Sequence, residues 1–185
     1  MTTSKPQARR GRPPKVARSF DDTREALLHC GMEVLTEQGF AATGIDAVLK
    51  RVRVPKGSFY HYFDSKEAFV QQVLQRYAAY FARKLDRWLL DESVLPLRRL
   101  SNFVEDAKAG MARHQFRRGC LVGNLGQEIT ALPASFRQTL ENVLLDWQVR
   151  LANCLTEAVH LGQLRQDSDC DALAAYFWIG WEGAV

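Results

Sequence analysis

No stretch of this chain stays apolar long enough to span a bilayer, and its first residues are polar and basic, with no hydrophobic run after them. A membrane-spanning helix and a secretory leader are therefore not expected, and a cytoplasmic location is. The four cysteines, Cys30, Cys120, Cys154 and Cys170, have no C-x-x-C spacing and no histidines at zinc-finger distances, which argues against a structural metal or a disulfide framework. The glycine-rich run from Gly119 to Glu128 lacks the spacing and the flanking strand of a nucleotide-binding loop. No cofactor is expected.

Acidic residues are missing from one end. Met1 to Arg18 holds six Lys or Arg and no Asp or Glu, which leaves 19 bases against 21 acids elsewhere, so the net charge of +4 sits in an N-terminal arm. A basic excess placed this way suits a polyanionic partner at that end. The arm, residues 1–19, has too few apolar side chains to offset the entropy of ordering and is expected to be disordered alone. Inside it Arg10-Gly11-Arg12-Pro13 resembles the core of an AT-hook, whose arginines follow the narrow minor groove of A·T-rich DNA. A basic solubilising tail is the alternative reading.

The most informative stretch runs from Thr43 to Phe63. Ile45, Val48, Leu49 and Val52 recur at the spacing of one helical face, with Asp46, Lys50 and Arg51 on the other. Pro55 has a preset φ and no N–H, which suits the first position of a second helix, and the residue before it is pushed towards extended geometry. In that second helix Phe59 and Phe63 face inward, leaving Lys56, Ser58, Tyr60 and His61 outward, while Gly57 permits close backbone approach. Hydroxyls, an imidazole, an ammonium and free N–H groups at a helix start are what phosphates and base edges accept.

The run Val54-Pro55-Lys56-Gly57-Ser58-Phe59-Tyr60-His61-Tyr62-Phe63, followed by Ser65-Lys66-Glu67, resembles the helix-turn-helix signature of the TetR family of bacterial repressors. The resemblance implies an all-α fold: an N-terminal three-helix DNA-binding domain, residues 20–63, and a C-terminal ligand-binding and dimerising bundle, residues 64–185. It implies a homodimer on palindromic double-stranded operator DNA, released by a small-molecule inducer. Thr43 is then expected to bond a phosphate, Lys56, Gly57, Ser58, Tyr60 and His61 to enter the major groove, and Tyr62 and Lys66 to clamp the backbone. Arg53 stands where the family often has a small residue, and Leu49 where Ala is usual.

Around this unit the chain reads as helices. Asp22 and Glu25 form a capping-box pattern, and Gly39 ends the first helix. Phe69, Val73, Tyr77, Tyr80, Phe81, Leu85, Trp88 and Leu89 make one long stripe, more often core than ligand wall. Two more amphipathic helices follow, from Leu97 and from Pro133. Leu173 to Val185 is apolar nearly all round, so burial against a second subunit is expected. The pattern runs to Val185 with no stop signal where the family usually continues, so the final helix is expected to be missing.

Gly110–His114, Phe116–Glu128 and Phe177–Ala184 are similar to acrylate-responsive members of the family, and Gly119-Cys120-Leu121 to an electrophile-responsive one. The implied inducer is a small α,β-unsaturated acid, its thioester or a reactive electrophile. Phe116, Trp147, Tyr176, Trp178 and Trp181 can wall an apolar cavity, with Asn124, Gln127, Glu128 or an arginine orienting a polar head. A carboxylate would need an arginine; Arg117, Arg118, Arg137 and Arg150 are available. Cys120 beside Arg117 and Arg118 reads either as a thiol with a favoured thiolate or as a small buried packing residue. His114 lacks an orienting third group, so catalysis is not expected. Two other functions stay open, an electrophile sensor acting through Cys120 and an architectural DNA-binding protein without a ligand.

Overall fold

The computed structural model of the chain describes residues 19–185, so the arm that carries Arg10 and Arg12 lies outside the described residues. The described residues form seven α-helices and one 3-10 helix, with no strand. They are α1 (Phe20–Gln38), α2 (Ile45–Val52), the 3-10 helix (Lys56–His61), α3 (Lys66–Leu89), α4 (Pro96–Arg113), α5 (Leu121–Gln127), α6 (Ala134–His160) and α7 (Cys170–Ala184).

The start of α1 differs from the expected Asp22 cap. Ser19 is the N-cap: its hydroxyl accepts from the Asp22 N–H at 3.0 Å, and the Asp22 carboxylate accepts from the Ser19 N–H at 3.3 Å. The box needs a hydroxyl and a carboxylate three residues apart, and the Ser19–Asp22 pair supplies it one turn earlier, which lets Thr23 be buried. Gly39 closes the helix at φ 75°, a region that costs L side chains strain.

Pro55 caps the second reading element instead of opening it, and that element is a 3-10 helix. Arg53 ends α2 in the left-handed conformation, φ 61° and ψ 41°, at the turn where a small residue would be easier. The 3-10 helix is seated by aromatic rings: Phe59 lies 5.3 Å from Phe63 and 5.5 Å from Phe69, and Phe63 lies 4.8 Å from Phe69. Because Phe69 belongs to α3, the reading element is packed directly onto the long helix. Each such fully buried ring contributes roughly 1.5–3 kcal/mol.

A single apolar core runs on from Leu27 in α1 to Trp178 in α7. Its C-terminal half centres on Trp147, which is fully buried 4.3 Å from Phe81 and 5.1 Å from Trp178. Arg99 is buried in the same half and forms a bidentate pair with Glu157 at 2.6 and 2.9 Å, while donating to the carbonyls of Val94 and Leu89. Sequence periodicity gave no sign of this ion pair, since the two residues are 58 positions apart.

Not every aromatic follows the expected stripe. Tyr80 is 50% exposed, and of α7 only Ala174 and Trp178 are buried within the chain. Leu173, Tyr176 and Ile179 on α7, and Leu145 and Val149 on α6, present apolar side chains outward.

Candidate nucleic-acid surface and ligand cavity

The reading surface is displayed much as its residue types demand. Lys56, Gly57, Tyr60 and His61 are exposed and Ser58 is half-buried, around the inward Phe59. Tyr60, 66% exposed, stands edge-on to Phe59 at 5.4 Å, which fixes its root while its hydroxyl reaches outward. Lys56 Nζ lies 2.7 Å from the Asp46 carboxylate of α2; this bond raises the lysine's pKa. The ammonium is thereby kept charged and held beside the turn. A phosphate would compete with Asp46 for it.

Two of the expected DNA contacts, Thr43 and Lys66, are turned inward. Thr43 is buried and its hydroxyl donates to the Gly39 carbonyl at 2.5 Å, so it closes the α1–α2 turn instead of facing a phosphate. Lys66 folds back: its ammonium donates to the Phe40 carbonyl at 2.8 Å and sits 4.1 Å over the Phe40 ring, and burial lowers its pKa. Tyr62 is half-buried, its ring 4.6 Å from Phe20. For Thr43 and Lys66 alike the α1–α2 turn supplies the partner, a carbonyl for both and the Phe40 ring as well for the lysine.

A cavity of about 380 Å³ opens between α1, α3, α4, the start of α5 and the end of α7. Its wall includes Tyr77, Tyr80, Phe81 and Lys84, a stripe on α3 spaced for one face, with Met111 and Trp181 opposite. That volume falls in the range of small-molecule sites. The Trp181 indole N–H is buried without a hydrogen-bond partner among the described residues.

Of the expected ligand residues, Cys120 and Trp181 line this cavity. Phe116 does not: it is 72% exposed on the α4–α5 loop at φ 55°, next to Gln115 at φ 54°. Tyr176 is 76% exposed on α7, pointing away from the bundle. Trp147 and Trp178 belong to the closed core. Asn124 Nδ2 donates to the Thr36 carbonyl at 2.9 Å, and Glu128 accepts from the N–H groups of Phe40 and Ala41, so both tie α5 to the reading half. A helical stripe tells which residues share a face; it does not tell whether a ligand or a neighbouring helix fills the space in front of it.

Cys120 is not activated. Burial, with the nearby Glu182 carboxylate acting the same way, pushes its thiol up to about 12, and the Tyr77 hydroxyl lies 3.8 Å from the sulfur. Arg118 points elsewhere, to Glu33 at 3.2 Å and Glu37 at 2.9 Å. The adjacent Glu182 was not singled out in the sequence. Its carboxylate is buried without a hydrogen-bond partner among the described residues, and a Cβ at Gly123 would overlap it. Burial raises its pKa, with the Cys120 thiol acting the other way.

Comparison with known proteins fits this arrangement. Residues 27–73 match the family described as bacterial regulatory proteins of the tetR family, and residues 96–185 match the tetracyclin repressor-like C-terminal domain. The chain is 53% identical to the transcriptional regulator AcuR of Cereibacter sphaeroides over 96% of this chain and 80% of that protein. It is 34% identical to the repressor DhaR of Mycobacterium sp. strain GP1, over 88% of this chain and 80% of that protein. A crystal structure of a regulatory protein TetR from Rhodobacter sphaeroides superposes with a TM-score of 0.85 at 54% identity, covering 88% of this chain and 86% of that one. Reduced NemR of E. coli superposes at 0.79 with 29% identity, covering 88% and 84%.

Proposed function

The chain belongs to the TetR family of bacterial transcriptional regulators, which are not enzymes, and on that premise we propose that it is a homodimeric repressor released from a palindromic operator by a small inducer in the α1/α3/α4/α5/α7 cavity. The observation that carries this reading is the shared wall. Met32, Glu33 and Thr36 of α1 face the same space as Tyr77 and Lys84 of α3, so an occupant of the cavity bears directly on a helix of the DNA-reading half. Two reading elements in a dimer must sit about 34 Å apart to enter successive major grooves. An occupant that shifts α1 against α3 changes that separation.

Thr43, Tyr62 and Lys66 support the reading element from within, and Lys56, Gly57, Ser58, Tyr60 and His61 meet the DNA. The exposed apolar side chains of α6 and α7 form the dimer face, with Leu145, Val149, Tyr176 and Ile179 at its centre. The protein acts in the cytoplasm, where its operator is.

The inducer is acrylate or a related α,β-unsaturated compound, held without covalent attachment. The likeness of residues 110–114, 116–128 and 177–184 to acrylate-responsive members of the family supports this, as do the cationic side chains at the cavity. Of the four arginines expected as candidates, Arg118 lines the cavity, Arg117 lines a neighbouring cleft, Arg150 is held by Asp86 and Asp146, and Arg137 is exposed on α6; Arg113, not among them, lines the cavity too. The raised thiol pKa of Cys120 speaks against an electrophile sensor.

The test is a titration of acrylate into the complex of the full chain with its promoter fragment, followed by fluorescence anisotropy, with sedimentation to count subunits. Release at constant subunit number supports the reading. An operator complex indifferent to acrylate, acrylamide and other unsaturated compounds would leave a DNA-binding protein without a ligand.

A further inference from the structure

Arg118 occupies an unusual position. It lies in the wall between the cavity described above and a second, more open cleft of about 350 Å³ formed with Glu37, Arg51, Arg113, His114 and Arg117. It precedes α5, yet its guanidinium is held by α1: Nη1 lies 3.2 Å from Glu33, and both Nε and Nη2 lie 2.9 Å from Glu37. Glu33 and Glu37 are one helical turn apart, so one planar fork spans both. Glu37 is itself shared, since Arg51 of α2 reaches its other oxygen at 3.2 Å. Ion pairs thus run without a break from the cavity wall through α1 to the first helix of the reading pair.

The cavity side of this chain is short of anions. Among the described residues Lys84, Arg113 and Arg118 line the space against one acidic side chain, Glu33, and Lys84 is committed to Asp106 at 2.8 Å. A carboxylate entering an apolar cavity with this charge balance gains most from a guanidinium, which matches its two oxygens. Arg118 also has something to exchange, because its present partners are carboxylates of the same geometry.

We infer that Arg118 is the receptor for a small monocarboxylate in the cavity, and that the ligand's carboxylate and the α1 acids Glu33 and Glu37 compete for it. The inference rests on the inducer reading above and deepens it. When the ligand takes Arg118, Glu37 keeps Arg51 alone and the tie between α1 and the segment leading into α5 is lost. When the reading half is held on DNA, the α1 acids keep Arg118 and the ligand binds more weakly. The two effects are equal by linkage.

The experiment measures ligand binding to the full chain without DNA, by calorimetry, using acrylate, its saturated analogue propionate and the neutral amide acrylamide. Arg118→Gln should weaken acrylate and propionate at least tenfold and leave acrylamide unchanged. Arg118→Lys, which keeps the charge and loses the fork, should fall between and serves if the glutamine variant does not fold. Glu37→Gln should tighten acrylate several-fold, because a competitor is gone.

Acrylate affinity within twofold of wild type in both Arg118 variants overturns the inference. So does an equal loss of acrylate and acrylamide, or an unchanged acrylate affinity in Glu37→Gln. Wild-type protein that binds no monocarboxylate also overturns it, while release of the operator by acrylamide would leave the inducer reading standing. Carboxylate binding that depends on Arg118 without any release of operator DNA would do the reverse.

Discussion

The carboxylate of Glu128, at the end of α5, accepts the backbone N–H of Phe40 at 2.9 Å, and the same oxygen accepts that of Ala41 at 2.8 Å. Eighty-eight residues separate Glu128 from Phe40 in the chain. The glutamate supplies the acceptor that two donors of the α1–α2 turn would otherwise lack, and Gly39 leaves room for it, since a Cβ there would overlap the carboxylate. One end of α5 therefore borders the cavity through Cys120, and the other holds the turn that leads into the reading pair.

Glu128→Ala should destabilise the chain by about 1–3 kcal/mol, the cost of leaving the part-buried Phe40 N–H without its charged acceptor, the exposed Ala41 N–H adding little. The loss should be local. Hydrogen exchange at the Phe40 and Ala41 amides should speed up more than at the core of α6, and operator affinity should fall although Glu128 touches no DNA. Equal exchange at those amides in the two proteins would remove the role.

Lys56→Ala and Tyr60→Ala separate positioning from reading. The lysine contacts phosphate in this view, so its loss should weaken binding to all sequences alike and reduce the salt slope by about one. Loss of Tyr60 should narrow the gap between operator and random DNA. Both variants should keep the dimer and the melting temperature, because both side chains are exposed. An unchanged operator affinity would show that the 3-10 helix is not the reading element.

The buried acid beside the cavity sets a pH dependence. Burial raises the Glu182 carboxyl, so the folded state holds that proton more tightly than the unfolded chain. Its contribution is fully present below the ordinary value of 4.5 and is lost as pH rises through the raised folded value. Glu182→Gln should therefore gain on wild type as pH rises through that window and keep a constant advantage beyond it, visible as a higher melting temperature at neutral pH. A shift of roughly 2–4 °C corresponds to about 1 kcal/mol in a chain of this size. Equal pH profiles for the two proteins would contradict the assignment.

Cys120 has the same sign at higher pH. Its thiol, raised from 9.0 to about 12, stabilises the fold fully below 9 and loses that contribution as pH approaches 12. At pH 8 the thiolate fraction is about one in ten thousand. Alkylation of the native protein by iodoacetamide should thus reach the half-buried Cys170 first and Cys120 only on unfolding. Early labelling of Cys120 at pH 8 would reinstate it as a reactive sensor.

Arg99→Ala should lower stability by about 2–4 kcal/mol, somewhat under the range of about 3–5 kcal/mol for broken buried pairs because Glu157 is 42% exposed. The variant also strands the carbonyls of Val94 and Leu89. Chemical denaturation gives the number directly. A change under about 0.5 kcal/mol, as at ordinary surface sites, would show that the pair is not structural.

The reading pair was legible in the residues because its determinants are local. The stripe of Ile45, Val48, Leu49 and Val52, the break at Pro55 and the inward Phe59 and Phe63 are separated by no more than a few turns, so periodicity alone sorts inside from outside. The resemblance of Val54–Phe63 to a known signature added the partner. That Thr43 and Lys66 turn inward was not legible, since their alternatives are the Gly39 carbonyl and the Phe40 ring, which only the closed turn brings within reach.

By itself the sequence determined a helical protein with a basic arm, a compact DNA-reading unit and an apolar helix from Leu173 on, because those features follow from residue types at short spacing. Only the tertiary structure decided that Tyr77, Tyr80 and Trp181 face a cavity while Trp147 and Trp178 fill the core. It alone paired Arg118 with Glu33 and Glu37, and Glu128 with Phe40. A helical period fixes which side chains share a face. What stands in front of that face depends on other helices, many turns away in the chain, and so does whether a charge finds a partner or a ligand.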